Sequence, residues 1–242
     1  MPKSLRYLLI QIRNADDPIR EQERACFAAA LECDEDQIRC FDLLSGPPTH
    51  DDLNSCDMVL VGGSGDYSVV SDEPWLLRAL EGFQLIHEVS KPTFGSCWGF
   101  QVMARAIGGR VIHDLEHAEL GTKEIMLTTA GMKDPVFSQM DNPFLAYMGH
   151  EDRVIELPLD AELLASTELV ENQAFRFIGK PIYCTQFHPE LNYHALLGRM
   201  KAYPKYCEKI AGVSFDEFVA SFQEAKQSEG LMRLFRKEVF GV

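Results

Sequence analysis

The stretch Pro92-Thr93-Phe94-Gly95-Ser96-Cys97-Trp98-Gly99-Phe100-Gln101 carries the strongest chemical signal in the chain. A short apolar run meets a helix-forming run at Gly-x-Cys-x-Gly, the nucleophile-elbow pattern with cysteine in place of serine. Glycines on both sides of Cys97 permit the sharp turn that lifts a side chain out of the carboxyl edge of a sheet. A thiol there sits at a helix N-terminus, where free N–H groups and the macrodipole favour the thiolate. The N–H of Trp98 is placed to point at the oxyanion of an attacked carbonyl. Gln101, one helical turn further on, shares the face of Cys97 and reaches toward a bound substrate. A buried, inert thiol is the commoner fate of a cysteine. The flanking glycines and the strand-to-helix setting favour the reactive one.

A cysteine nucleophile needs a base, and the base needs a group that orients it. Gln186-Phe187-His188-Pro189-Glu190 closes a second apolar run. His188 and Glu190 leave one strand end together, and Pro189 fixes the turn between them. Glu190 can then select the histidine tautomer and stabilise its charged form. A His-Pro-Glu triplet alone reads as a surface turn. Beside the elbow, at the sheet edge where α/β proteins build their sites, it reads as part of a triad.

The elements that must position these groups alternate along the chain. Strand patterns cover 5–12, 37–44, 57–61 and 91–95, and helical patterns cover 18–33, 72–89 and 97–107, with Pro18 and Pro74 near helix starts. Gly46-Pro47-Pro48 and Gly108-Gly109 end elements. Arg110-Val111-Ile112 reads as a strand, and 110–157 is β-rich, with strands expected over 123–127 and 144–148. Runs over 174–178 and 181–187 flank Gly179-Lys180 as a hairpin. Helices follow Pro189 and cover 214–227 and 231–240. This order predicts a mostly parallel sheet with helices on both faces. No linker divides it: residues 1–204 form the domain and 205–242 a helical extension packed on it. The apolar face of Met232, Leu234, Phe235, Val239 and Phe240 either packs back or supplies a homodimer or partner surface, packing back being the commoner outcome.

Composition narrows the function classes. The 242 residues are 46% hydrophobic, enough for a full core. With 23 basic and 37 acidic residues the net charge is −14, which repels phosphate backbones and anionic lipid, so no nucleic-acid or membrane partner is expected. The run over 5–12, broken by Arg6 and Gln11, reads as a first strand instead of a leader, and no run spans a bilayer. Seven scattered cysteines, Cys26, Cys33, Cys40, Cys56, Cys97, Cys184 and Cys207, fit a reducing cytoplasm better than a disulfide framework.

Together, Gly95-Ser96-Cys97-Trp98-Gly99-Phe100-Gln101 and Phe187-His188-Pro189-Glu190 resemble the triad type (class I) of glutamine amidotransferase domains, and most closely the free-standing proteins similar to the glutaminase part of GMP synthase. The resemblance runs from the first strand to about residue 200. It implies a flavodoxin-like sheet and hydrolysis of the glutamine side-chain amide through a thioester, with Cys97 as nucleophile, His188 as base and acid, and Glu190 as orienter. It further implies an oxyanion hole from Gly62, Gly63 and Trp98, and a glutamine contact at Gln101. Gly149-His150-Glu151-Asp152 resembles the family's Ser-His-Gly-Asp segment at the amino-acid end of the substrate. Ser96 replaces a branched apolar residue, and Glu151 stands where glycine is common, which sets an acid against the substrate's α-carboxylate. No cofactor or metal is implied.

Three functions fit. The first is a glutaminase that passes ammonia to a separate synthase subunit. The second is a stand-alone hydrolase of γ-glutamyl peptides. The third is a non-catalytic regulatory or binding protein on the same scaffold, against which the complete triad argues. Other motifs carry less. His113-Asp114-Leu115-Glu116-His117 fits a zinc-peptidase pattern, but such a site needs both histidines on one helix face, and a polar loop is expected here. Gly62-Gly63-Ser64-Gly65 lacks the ending of a phosphate-binding loop. Cys26, Cys33 and Cys40 read as core thiols, His87 and His194 as surface histidines, and Trp75 as core or rim packing.

Overall fold

The computed structural model describes residues 4–203, 209, 210, 212, 214–220 and 222–242. Strand β1 (Tyr7–Gln11) is buried along its length. Its Tyr7 and Leu9 enter one core and its Leu8 and Ile10 the other, as the two-residue period of a strand covered on both faces requires. Helix α1 (Ile19–Leu31) packs Phe27 and Leu31 into the first core. Then come β2 (Ile38–Asp42), the short α2 (His50–Asn54) and β3 (Met58–Val61). Helix α3 (Pro74–Glu88), which opens on proline, and α4 (Trp98–Ala106) cover the second face, on either side of β4 (Thr93–Ser96).

The chain continues through β5 (Arg110–His113), β6 (Glu119–Leu127), β7 (Phe144–His150), β8 (Asp152–Glu156), β9 (Ala161–Ser166), β10 (Ala174–Phe177) and β11 (Ile182–Thr185). It ends in helices α5 (Tyr193–Ala202), α6 (Phe215–Ala220) and α7 (Leu231–Phe240). The central sheet has the order β2-β1-β3-β4-β11-β10-β9-β6-β7. Pairs from β2 to β11 are parallel, in the order of flavodoxin-like sheets. Beyond β11 the pairs turn antiparallel, beginning with the expected β10–β11 hairpin. Strands β5 and β8 form a separate antiparallel ribbon.

Two relationships place the site. Thr185 is in register with Ser96, so the carboxyl ends of β4 and β11 deliver residues 97 and 186–190 side by side. In the ribbon, His113 is in register with Asp152, which sets a second group of polar side chains beside the first. Helix α7 lies on the first face. Its Phe235 is fully buried against Phe94 of β4 and Tyr183 of β11, with edge-on ring contacts at 5.4 and 5.3 Å.

Several boundaries differ from those the sequence predicts. Strand β2 stops at Asp42, where the Asp42 side chain caps a 3-10 turn over Leu43–Ser45. Strand β6 begins at Glu119, four residues before the predicted 123–127, because the buried Glu119 carboxylate faces His150 and Gln173. The helix expected over 214–227 is realised as Phe215–Ala220, with residues 222–225 non-helical. Of the cysteines, Cys26 is buried, Cys33 is half-buried against the first core and Cys40 is exposed on edge strand β2, so Cys40 is not the core thiol expected; Cys207 lies outside the described residues. Among the described residues no helix is long and apolar enough to cross a membrane.

Candidate active site

The strain of the elbow falls on the cysteine itself. Cys97 has φ 53° and ψ −102°, a left-handed conformation that side chains rarely adopt. Its N–H donates to Thr185 O at 2.8 Å, tying the turn to β11. The flanking glycines serve close approach. A β-carbon on Gly99 would lie 2.6 Å from Val61 O, and one on Gly95 3.0 Å from the Gly99 carbonyl. Gly99 N–H also donates to Gly62 O at 3.2 Å, which clamps the glycine loop after β3 onto the elbow.

His188 arrives from the end of β11, its N–H donating to Tyr147 O at 2.9 Å. Its Nδ1 lies 2.7 Å from Glu190 Oε1, and its ring is in hydrogen-bonding reach of the Cys97 thiol. All three side chains are buried. Burial disfavours the imidazolium, but the Glu190 carboxylate and then Cys97 outweigh it, and His188 binds its proton more tightly than an ordinary histidine. Burial likewise opposes charge on Glu190, yet His188 and then Arg199 hold its carboxyl below the usual glutamate range.

Behind Glu190 stands a buried ionic network that has no motif in the sequence. Arg199 of α5 places Nη1 3.5 Å from Glu190 Oε1 and Nη2 4.0 Å from Glu23 Oε1. Arg13 grips Glu23 with Nη2 at 3.0 Å and Nε at 3.2 Å, and Gln11 donates to the same carboxylate at 2.9 Å. In the sequence Arg13 and Glu23 stand as isolated charges, one next to β1 and one within α1, with no spacing that marks them as partners.

Two cavities meet at Cys97. The larger, about 370 Å³, is lined by Trp98, Gln101 and residues 149–152, together with Asp66, Tyr67, Ser68, His113 and Lys209. The smaller, about 40 Å³, runs between Gly63, His188 and the α5 side chains Leu196, Arg199 and Met200. Gly63, Trp98, Gln101, Gly149, His150, Glu151 and Asp152 therefore all line space that opens on the thiol. Gly62 lines neither cavity and faces Glu23.

The wall residues divide by what already holds them. Gln101 donates through Nε2 to Asp152 O at 2.9 Å and to Gln186 Oε1 at 3.1 Å. His150 is engaged at both ring nitrogens, Nε2 at 3.1 Å from Glu119 Oε2 and Nδ1 at 3.1 Å from Asp152 O. Asp152 is held by His113 Nδ1 at 2.8 Å and by the Ser68 hydroxyl. Lys209 donates to the Glu151 carboxylate. The zinc-peptidase pattern is thus split between a strand end and a 3-10 turn: His113 pairs with Asp152, and His117 Nδ1 lies 2.9 Å from Asp114 Oδ2. His87 pairs with Asp160 at 2.8 Å, and Trp75 packs edge-on against Tyr67.

The glutamine amidotransferase class-I family model matches residues 43–196. Gamma-glutamyl peptidase 3 of Arabidopsis thaliana is 31% identical over 170 residues, 69% of this chain and 68% of that protein. The glutamine-hydrolyzing GMP synthase of Clostridium novyi is 33% identical over 58% of this chain, but the match spans only 26% of that longer protein. In fold, a glutamine amidotransferase from Thermotoga maritima superposes with a TM-score of 0.78 over 98% of both chains at 20% identity. The chain belongs to the class-I glutamine amidotransferase family.

Proposed function

We propose that the protein hydrolyses the γ-amide bond of glutamine or of a γ-glutamyl amide through a thioester on Cys97. The observation that carries this reading is the buried Cys97–His188–Glu190 array at the point where two cavities meet. The γ-carbonyl enters from the larger cavity, and the Cys97 thiolate adds to it. The oxyanion is received by the N–H groups of Gly63 and Trp98, while Gly62 braces the loop that presents Gly63. Imidazolium His188 donates its proton to the leaving nitrogen as the C–N bond breaks, which leaves a γ-glutamyl thioester. Neutral His188 then takes a proton from water as the water attacks. Glutamate departs, and the thiolate–imidazolium pair is restored. Glu190 fixes the ring through Nδ1, so Nε2 faces the thiol and the leaving group.

Two leaving groups fit. Ammonia passed to a separate synthase is one, supported by the similarity to GMP synthases. An amino acid or peptide released from a γ-glutamyl peptide is the other. It is favoured by the second cavity at Cys97, whose Leu191, Leu196 and Met200 offer apolar contact beyond the scissile bond. The deciding experiment is glutamate release by the purified protein from glutamine and from a panel of γ-glutamyl peptides, with Cys97→Ala as control. Cys97-dependent turnover of a peptide without any partner assigns the peptidase activity. Turnover of glutamine that rises when a synthase is added assigns ammonia delivery. Equal rates for wild type and Cys97→Ala would sink the thioester mechanism.

A further inference from the structure

The acid at residue 151 poses a problem that the three-dimensional structure resolves. Glu151 lines the larger cavity two residues beyond Gly149, whose carbonyl lies 3.6 Å from Cys97 Sγ. Two residues span at most about 7 Å, so Glu151 lies within a short reach of the thiol and in the same cavity. That cavity is the space a γ-glutamyl group seated on Cys97 would fill with its α-ammonium and α-carboxylate. An unpaired acid there would repel that carboxylate.

Lys209 changes the sign of half of this wall. Among the described residues that line the cavity it is the only lysine or arginine, and its ammonium rests on the Glu151 carboxylate. The other acids of the wall have different partners: Asp152 takes His113 and Ser68, and Asp66 accepts from Asn14 Nδ2 at 3.1 Å. His113 Nε2 stands 3.9 Å from Glu151, at the limit of an ion pair. Lys209 lies half-exposed on its long stem and beyond the family-matched segment 43–196, so this cation comes from the chain's own C-terminal portion.

We propose that Glu151 and Lys209 form a split recognition pair for the α-amino-acid end of the substrate, with Glu151 receiving the α-ammonium and Lys209 the α-carboxylate. Before binding, the two satisfy one another; on binding, each exchanges its partner for a group of the same charge. The cavity then keeps its charge balance, and the half-buried Glu151 carboxylate is never left without a cation. The pair selects zwitterionic γ-glutamyl compounds over amides that lack either α-group. This inference rests on the γ-glutamyl reading above, and its test is built to fail separately from it.

The probes are L-glutamine, 4-aminobutanamide, which lacks the α-carboxylate, and glutaramic acid, which lacks the α-amine. Binding to Cys97→Ala protein is read by calorimetry, and turnover by KM and kcat in the Cys97 enzyme. A charge-assisted pair is worth a factor of about 10 to 100 in affinity. Lys209→Met should weaken L-glutamine by that factor, raising KM more than it changes kcat, and should erase the preference for L-glutamine over 4-aminobutanamide. Lys209→Arg should restore it. Glu151→Gln should erase the preference over glutaramic acid instead. Discrimination that survives in both Lys209→Met and Glu151→Gln, or that is lost equally for both analogues in each, overturns the inference. Because calorimetry needs no turnover, binding with the expected pattern but no hydrolysis would overturn the catalytic reading and leave the recognition pair standing.

Discussion

Gly62 and Glu23 compete for one volume: a β-carbon on Gly62 would overlap the Glu23 carboxylate. That carboxylate is fixed by Arg13 and Gln11 and approached by Arg199, which also faces Glu190. Gly62→Ala must therefore push Glu23 out of the network. It is expected to cost about 1–3 kcal/mol of stability and to lower kcat as Arg199 follows. Gly63→Ala meets a different neighbour, His188 Cε1 at 3.1 Å. It should lower kcat with a smaller change in stability. Melting curves and turnover measured on both variants separate the two effects.

Cys97 pays for its position with backbone strain. Cys97→Ala and Cys97→Gly should both lose turnover by at least about 10³-fold. Cys97→Gly should be the more stable of the two by about 1 kcal/mol, since glycine accepts the left-handed turn. Denaturant melts of the pair check this; an alanine variant that equals or exceeds the glycine variant contradicts strain at the elbow.

The pH dependence follows from the directions of the shifts. His188 is raised in the folded protein. Its ability to protonate a leaving amine should persist as pH climbs past the ordinary histidine range and fall away only at the higher folded value. Glu190→Gln removes the main raising influence and leaves burial, which acts downward, so the alkaline limb of kcat should move to lower pH. Stability obeys the same signs. The contribution of His188 is complete below the ordinary histidine value and is lost as pH rises through the raised one. That of Glu190 is present above the ordinary glutamate value and is lost as pH falls through its lowered one. The melting-temperature difference between wild type and Glu190→Gln should thus be largest between the ordinary glutamate and histidine values.

Arg199 lines the smaller cavity and not the larger one, and it sits between two buried carboxylates. Arg199→Met leaves Glu190 with His188 alone and Glu23 with Arg13 alone, and a destabilisation of about 1–3 kcal/mol is expected. Arg199→Lys, which keeps the charge, should recover a large part of it. In the methionine variant that remains folded, the alkaline limb of kcat should shift upward, because the Glu190 carboxylate, no longer shared with Arg199, favours the protonated His188 ring more strongly.

Phe235 ties α7 to the backs of β4 and β11. Phe235→Ala should cost about 3–5 kcal/mol while KM stays near the wild-type value in the folded fraction. Chemical denaturation with activity normalised to folded protein measures both.

The Cys97–His188–Glu190 array and the parallel half of the sheet were legible because each rests on local pattern: glycines around Cys97, a proline between His188 and Glu190, apolar runs ending at both motifs. Strand β9 was not legible, since Ala161–Ser166 presents a weak alternation and gains its strand character from β10 and β6. Helix α2 carries the Thr49 and Asp52 capping box in its sequence but is too short to give a period. Lys209 has no local signal at all. Its meaning depends on meeting Glu151 across the fold, and the same holds for Arg199 and Glu23.

The register of Thr185 with Ser96 carries a consequence for biosynthesis. The two strands that bring Cys97 and His188 together are neighbours in space, yet much of the fold is made between them. On a growing chain the elbow can form early, but Cys97 lacks the His188 and Glu190 side chains of the proposed array until β11 has emerged and docked. Under the proposed mechanism a partly made protein therefore holds its thiol in an unarmed state, and the last parallel pairing of the sheet doubles as the step that completes the array.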